Sequence, residues 1–168
     1  MRAYVPDFIF NKTINITPEF LKEQGIKTLL LDVDNTLATH GNPVPAEGII
    51  DWISLMQHSG IKLMVTSNNF KKRVEPFARD LGLDFVSFSA KPTPFGFWRG
   101  MKKLGAKKSD TAVVGDQIFT DILGAHMIGL RAIMVMVILE EDGWSFKIKR
   151  KFEKKYIDIY KKTKGEIL

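Results

Sequence analysis

The chain contains no cysteine. Disulfides, thiolate nucleophiles and zinc–thiolate centres are therefore excluded, and the composition fits a reducing compartment. Long apolar runs are missing too. The longest, Ala132 to Leu139, is strand-sized, against the roughly 20 residues needed to span a bilayer. Met1-Arg2-Ala3-Tyr4-Val5-Pro6-Asp7 lacks a charged start leading into an apolar core, so no secretory signal is read. Neither a repeat nor a low-complexity linker occurs. Most of the chain also lacks any excess of one charge. The net charge is +6, and residues 147–168 carry all of it, with nine Lys/Arg against three Asp/Glu; residues 1–146 hold sixteen of each. The expectation is a cytoplasmic protein with no transmembrane segment and one domain over 1–168. Within it, 1–26 form an N-terminal arm and 147–168 a basic amphipathic C-terminal segment.

What is present is strand–helix alternation. Strands are predicted at Thr28–Asp34, Ile61–Thr66, Phe85–Phe88, Thr111–Gly115 and Arg131–Val137. Amphipathic segments lie between them near Pro45–His58, Phe70–Leu81, Pro94–Leu104 and Thr120–Ile128. Gly60, Gly82, Gly105 and Gly129 stand where each helix should stop. Thr93 is the expected N-cap of the third segment with Pro94 at its first position, and Pro76 should start or kink the second. The alternation implies an α/β fold, a mainly parallel five-stranded sheet flanked by helices in the Rossmann-like manner. About 25 residues separate Asp34 from the second strand, enough for one helix and its loops. No inserted cap domain is expected, so the carboxyl end of the sheet should be open.

That end collects polar groups of a particular kind. Leu29-Leu30-Leu31-Asp32-Val33-Asp34 is an apolar run closing on two carboxylates, expected on one side of an extended chain about 7 Å apart. Like charges held there are costly unless neutralised, and a hard divalent cation is the usual answer. The second strand ends in Thr66-Ser67-Asn68-Asn69, the third leads into Ala90-Lys91-Pro92, and the fourth into Gly115-Asp116, followed by Asp121. Taken singly each has a plainer reading. Ser67 could cap a helix, Lys91 could be a solvated loop lysine, and Asp116 and Asp121 could be turn and cap residues. Together, in order and each at a different strand end, they form the set that phosphoryl transfer needs. A carboxylate nucleophile, a second carboxylate for proton transfer, a cation, and donors for the phosphoryl oxygens are all represented.

Asp32-Val33-Asp34-Asn35-Thr36, Thr66-Ser67-Asn68, Lys91-Pro92 and Gly115-Asp116-Gln117 through Thr120-Asp121 resemble the four motifs of the haloacid dehalogenase-like (HAD) phosphatases. The capless layout is similar to subfamily III, and more closely to the YqeG family, related to mitochondrial phosphatidylglycerophosphate phosphatases. The resemblance implies Asp32 as nucleophile and Asp34 as general acid/base. It implies Ser67 on the phosphoryl group, with the backbone at Val33 and Asn68, and Lys91 on the developing charge. Mg2+ would be held by Asp32, the backbone carbonyl of Asp34 and Asp116, with Asp121 reaching it through water or orienting Lys91.

The leading expectation is thus a Mg2+-dependent phosphomonoesterase acting through an aspartyl-phosphate, with phosphatidylglycerophosphate as its substrate and phosphatidylglycerol as product. A soluble phosphatase for a sugar phosphate, nucleotide or polynucleotide end is the alternative, and a non-catalytic binding module ranks below both. Nucleic acid is disfavoured by the want of an aromatic stacking motif, and a homo-oligomer is one way to shield an open site. In the tail, Trp144, Phe146, Ile148, Phe152, Tyr156 and Ile159 interleave with lysines and Arg150. Ile148, Phe152, Tyr156 and Ile159 share one helical face, read either as packing on the sheet or as a peripheral contact with anionic lipid. His40, Arg73 and Arg99 are candidate substrate contacts, each also readable as an ordinary loop or helix-surface residue.

Overall fold

The computed structural model describes residues 2–139 and 144–168, without the side chains at 2 and 144–149. Six strands form one sheet: β1 (Phe8–Phe10), β2 (Thr28–Leu31), β3 (Lys62–Thr66), β4 (Asp84–Val86), β5 (Thr111–Gly115) and β6 (Arg131–Val135). Their order is β1-β6-β5-β2-β3-β4 and every pairing is parallel. The helices are α1 (Pro18–Glu23), α2 (Ile49–His58), α3 (Lys71–Asp80), α4 (Phe95–Leu104), α5 (Leu123–Met127) and α6 (Trp144–Lys164). All four residues of the central strand β2 are buried, as a strand covered on both faces requires. Leu29 and Leu31 point into one core with α1, α2 and α3; Leu30 points into the other with α4, α5 and α6. The carboxyl ends of β2, β3, β4 and β5 consequently converge on one edge of the molecule.

Several expectations change. The sheet has six strands rather than five, because part of the N-terminal arm pairs with β6 as β1. Three residues behind Pro6 are too short a run for alternation to reveal. The first extended run stops at Leu31, and Asp34 instead begins a turn bridged to Ala38. Helix α2 starts at Ile49 because Gly48 holds a left-handed φ of 80°. Helix α3 begins before Pro76 and runs through it. Both Pro76 and Lys72, whose carbonyl loses its partner, are exposed, so water can serve that carbonyl. In α4 the cap is Pro94, while the Thr93 hydroxyl turns back to donate to the Ala90 carbonyl at 2.7 Å. The fourth segment opens with a π-helical turn at Ile118–Ile122 before α5. Gly60, Gly82, Gly105 and Gly129 do end their helices, all with positive φ.

Both sheet edges are covered. On β4, Arg99 donates to the Ser87 carbonyl and Lys103 to that of Phe85. On β1, the Leu168 backbone exchanges hydrogen bonds with Ile9 and Asn11. Helix α6 packs on the second core through Tyr160 and the partly buried Tyr156, Ile157 and Ile159. Its buried stripe is displaced from the predicted one: Phe152 is 61% exposed while Glu153 is 1% exposed. The Trp144, Phe146 and Ile148 side chains lie outside the described residues.

Candidate active site

The loops that leave β2, β3, β4 and β5 bring the predicted residues together. Asp32 directly follows β2 and keeps a sheet-like bond, its N–H donating to the Val114 carbonyl at 2.9 Å. Its carboxylate is 2.5 Å from the Lys91 ammonium, which also contacts Asp121 at 2.6 Å and the Thr66 carbonyl at 3.1 Å. An ammonium has three protons, so every Lys91 donor is in use. Lys91 is aimed by Asn68, whose side-chain amide clamps the Lys91 backbone from both sides: Oδ1 accepts from Lys91 N–H at 2.7 Å and Nδ2 donates to its carbonyl at 3.0 Å. The Asn68 side chain therefore does positioning work that the motif alone did not reveal. Ser67, 1% exposed, accepts the Asn69 N–H on its Oγ at 3.1 Å, which leaves its own proton available to donate.

Asp121 owes its place to a missing atom. A Cβ at Gly115 would lie 2.4 Å from the Asp121 carboxyl carbon, so only glycine there lets the π-helical turn fold against β5. Its second carboxylate oxygen accepts from the Gln117 N–H. Asp116 is fully buried, and one of its oxygens is held by Arg150 at 2.5 Å, reaching in from α6. Arg150 also donates to the Asp116 carbonyl at 3.1 Å and to Glu153 at 2.7 Å, and Glu153 accepts the Ile118 N–H at 2.9 Å. Two residues of the basic tail are thus built into the fourth-motif loop. A single-sequence reading had no signal for this beyond the tail's charge.

Asp34 looks elsewhere. Its carboxylate accepts from Arg73 at 2.5 Å, Asn69 at 2.8 Å and the Gly41 N–H at 3.0 Å, with His40 at 3.7 Å. Of the three candidate substrate contacts, Arg73 and His40 stand in the site, whereas Arg99 covers the β4 edge. A recess of about 330 Å³ opens beside Asp34, lined among others by Gly41, Ser67, Asn69, Lys72 and Arg73.

The electrostatics of the buried group are unbalanced. Among the described residues, Asp32, Asp34, Asp116, Asp121 and Glu153 face Lys91, Arg73 and Arg150, two more negative than positive charges if all are ionised. Burial pushes the Asp32 carboxyl up to about 7; Lys91 pulls it back, and Asp121 and Asp34 push it further up. Burial raises Asp116 well above the carboxylate range as well, with Asp32 adding to it against the pull of Arg150. Lys91 resists its own burial because Asp121 and Asp32 hold its proton, so it stays a cation. Carboxylate oxygens of Asp32, Asp116 and Asp121 lie within 4.8 Å of one another, and the second oxygen of Asp116 is buried without a partner among the described residues. Oxygen donors, excess negative charge and an unpartnered oxygen suit a hard divalent cation. The Asp34 carboxylate is outside that cluster.

Residues 17–129 match the model of the haloacid dehalogenase-like hydrolases. The chain belongs to that family. It is 35% identical over 166 residues to the probable phosphatase YqeG of Bacillus subtilis, covering 99% of this chain and 96% of that one. The pyrophosphatase PpaX of Halalkalibacterium halodurans is 26% identical over 122 residues, and this chain spans 54% of its length. Among solved structures, the 4-nitrophenylphosphatase of Thermotoga maritima superposes with a TM-score of 0.58 at 12% identity, over 71% of this chain and 89% of that one. NagD of Escherichia coli K-12 gives 0.55 at 14%, over 66% and 87%. These two show the shared fold. As a HAD hydrolase whose relatives are named phosphatases, the chain is a phosphoric monoester hydrolase, and it carries a buried acidic cluster suited to a divalent metal.

Proposed function

We propose that this HAD hydrolase cleaves a phosphate monoester in two steps through an aspartyl-phosphate on Asp32. One observation carries the reading: the Asp32 carboxylate is held at the strand end by a lysine whose three donors are all engaged. As an Asp32 oxygen bonds to phosphorus, the bond to the leaving oxygen breaks and the negative charge of Asp32 is carried through the phosphoryl group to the leaving oxygen. The Lys91 proton that served Asp32 is then released to a phosphoryl oxygen, where charge now sits. Ser67 donates its free proton to another. Asp34 protonates the leaving oxygen, then accepts a proton from the water that attacks phosphorus, which returns Asp32 and inorganic phosphate.

Mg2+ would be held by Asp32, Asp116 and the main-chain carbonyl of Asp34, with Asp121 behind it as the partner of Lys91 or through water. When bound, it supplies positive charge between an anionic nucleophile and an anionic substrate. Phosphatidylglycerophosphate is the substrate we assign. A site beside Asp34 that no described residue roofs suits a bulky phosphate better than a small one that must be enclosed. Pyrophosphate is a second reading, supported by the name of the H. halodurans relative.

Asp32→Asn tests the chemistry. It should abolish Mg2+-dependent hydrolysis of p-nitrophenyl phosphate and of phosphatidylglycerophosphate while the unfolding transition stays cooperative. Turnover near wild type in that variant would remove Asp32 as nucleophile. Comparing phosphatidylglycerophosphate, pyrophosphate and a sugar phosphate by kcat/KM decides the substrate.

A further inference from the structure

We infer that the edge carrying Phe70, Phe88, Phe95 and Trp98 docks the protein onto an anionic bilayer, with the site turned toward the lipid. The inference rests on the phosphatase reading for its purpose but not for its geometry. These four side chains are 68%, 59%, 61% and 44% exposed, far from the burial their apolar area favours. They form two edge-on pairs, Phe70 with Phe88 and Phe95 with Trp98, at centroid distances of 4.8 and 5.9 Å.

Their position is fixed to the site by hydrogen bonds. Phe70 follows Asn69, which donates to Asp34. The Phe88 N–H donates to the Asn69 carbonyl and the Ser89 N–H to that of Ser67, both at 3.0 Å. The first turn of α4 sits against the same loop, for a Cβ at Gly96 would lie 2.4 Å from that of Ser89. Phe88 holds a left-handed φ of 51°, a conformation that bulky residues disfavour. Core packing does not account for it, since the ring is turned to solvent.

The surrounding charge selects the occupant. Phe85 to Arg99 holds no acidic residue, Arg99 follows Trp98 directly, and Lys71-Lys72-Arg73 follows Phe70 directly. In the first turn of α3 these cations oppose the helix dipole, and two of them have anionic neighbours, Asp34 for Arg73 and Glu75 for Lys71. A second copy of the chain would set cations against cations across a two-fold contact. Aromatic rings flanked by Lys and Arg instead match a headgroup region, where rings enter the interface and cations meet anionic phosphates.

The test uses the full chain, sedimented with vesicles of phosphatidylcholine with and without phosphatidylglycerol. Wild-type protein should pellet with the anionic vesicles only. The double variant Phe88→Asn/Trp98→Gln should partition at least roughly tenfold less, with hydrolysis of soluble p-nitrophenyl phosphate unchanged. Wild-type protein that stays in the supernatant overturns the inference. So does a double variant that binds as wild type, or binding lost only in a Lys151→Glu/Lys155→Glu variant on the outer side of α6. Light scattering that shows a wild-type dimer dissolved by the double variant assigns the edge to a second copy, and also overturns it. The two readings fail separately. Aromatic-dependent vesicle binding without ester hydrolysis leaves docking and removes the phosphatase; hydrolysis without vesicle binding does the reverse.

Discussion

Helix α6 closes both ends of the sheet, and the two closures differ. At the carboxyl end Arg150 meets Asp116 and Glu153; at the amino end Lys164 meets Asp7 at 3.4 Å, beside His126 at 3.0 Å from the same carboxylate. The Asp7 cluster is self-sufficient. One carboxylate faces two basic groups and accepts the Ala132 N–H, and both ring nitrogens of His126 have partners. The Asp116 cluster, among the described residues, leaves an oxygen orphaned and a charge excess buried. A polar cluster that serves only the fold satisfies itself, because each unmet group costs about 1–3 kcal/mol. One that leaves groups unmet is built around something else, here, on the proposed function, a cation and a phosphoryl group.

The largest effect should come from the centre of the unbalanced cluster. Lys91→Met leaves Asp32 and Asp121 facing each other without their cation, a change of about 3–5 kcal/mol in metal-free protein. Turnover should fall roughly a hundredfold or more, since a donor to the transition-state charge is lost. Added Mg2+ should restore part of the thermal stability and none of the rate. Full rate in this variant, measured with p-nitrophenyl phosphate, would contradict the role given to Lys91.

The two ends of α6 should then part company. Arg150→Ala frees the Asp116 carboxylate to turn away from its neighbours, so the Mg2+ concentration for half-maximal rate should rise roughly tenfold, with kcat at saturation changed much less. Direct titration of metal-free protein by calorimetry should show the same loss of affinity, and Arg150→Lys should recover part of it. Lys164→Ala, at a pair that is 39% and 34% exposed, should cost no more than about 0.5 kcal/mol and leave Mg2+ dependence alone. Equal effects of the two variants would mean that the tail acts on the site only through general stability.

The contrast between the ends also marks what a sequence discloses. That Asp32, Ser67, Lys91 and Asp116 would gather was legible, because Asp32, Ser67 and Asp116 directly follow strands, Lys91 lies on the loop after β4, and parallel topology sends such ends to one edge. Gly115 and the four helix-ending glycines follow from local backbone needs. Arg150 and Glu153 were not legible as site residues, and Arg73, though a candidate substrate contact, gave no sign that it would hold Asp34. Their partners lie 34, 35 and 39 positions away, and no local pattern states which helix face will meet which loop. Phe152 and Glu153 show the same blindness. Hydropathy places Phe152 inward, but Glu153 goes in because Arg150 and the Ile118 N–H together compensate its burial.

Metal should act on stability in a pH-dependent way at the unbalanced end. The folded pKa of Asp32 is raised to about 7 from 3.8, so the metal-free fold holds a proton there that the unfolded chain gives up. Stability of the metal-free protein therefore falls as pH rises from about 4 to 7. A divalent cation replaces that proton, and the rise in melting temperature on adding Mg2+ should be larger at pH 8 than at pH 5. A rise independent of pH would place the cation away from Asp32.

The smallest effect belongs to the balanced end. Burial works against the charged His126, but the Asp7 carboxylate and the Ala3 carbonyl outweigh it, so its folded pKa lies above 6.5. Burial likewise pushes Asp7 up, and His126, the Ala132 N–H and Lys164 together bring it down to about 2. The His126 contribution is complete below about 6.5 and fades as pH rises through the raised folded value; that of Asp7 is complete above about 4 and fades as pH falls toward 2. The N-terminal segment should be tied most firmly between those limits. His126→Gln isolates the effect, because Asp32 titrates alike in both proteins. The stability difference between wild type and variant, from urea unfolding, should be larger at pH 6 than at pH 9, with activity the same in both. A difference that does not shrink with pH would mean His126 is held neutral, and the cluster that looks complete would be short of a proton.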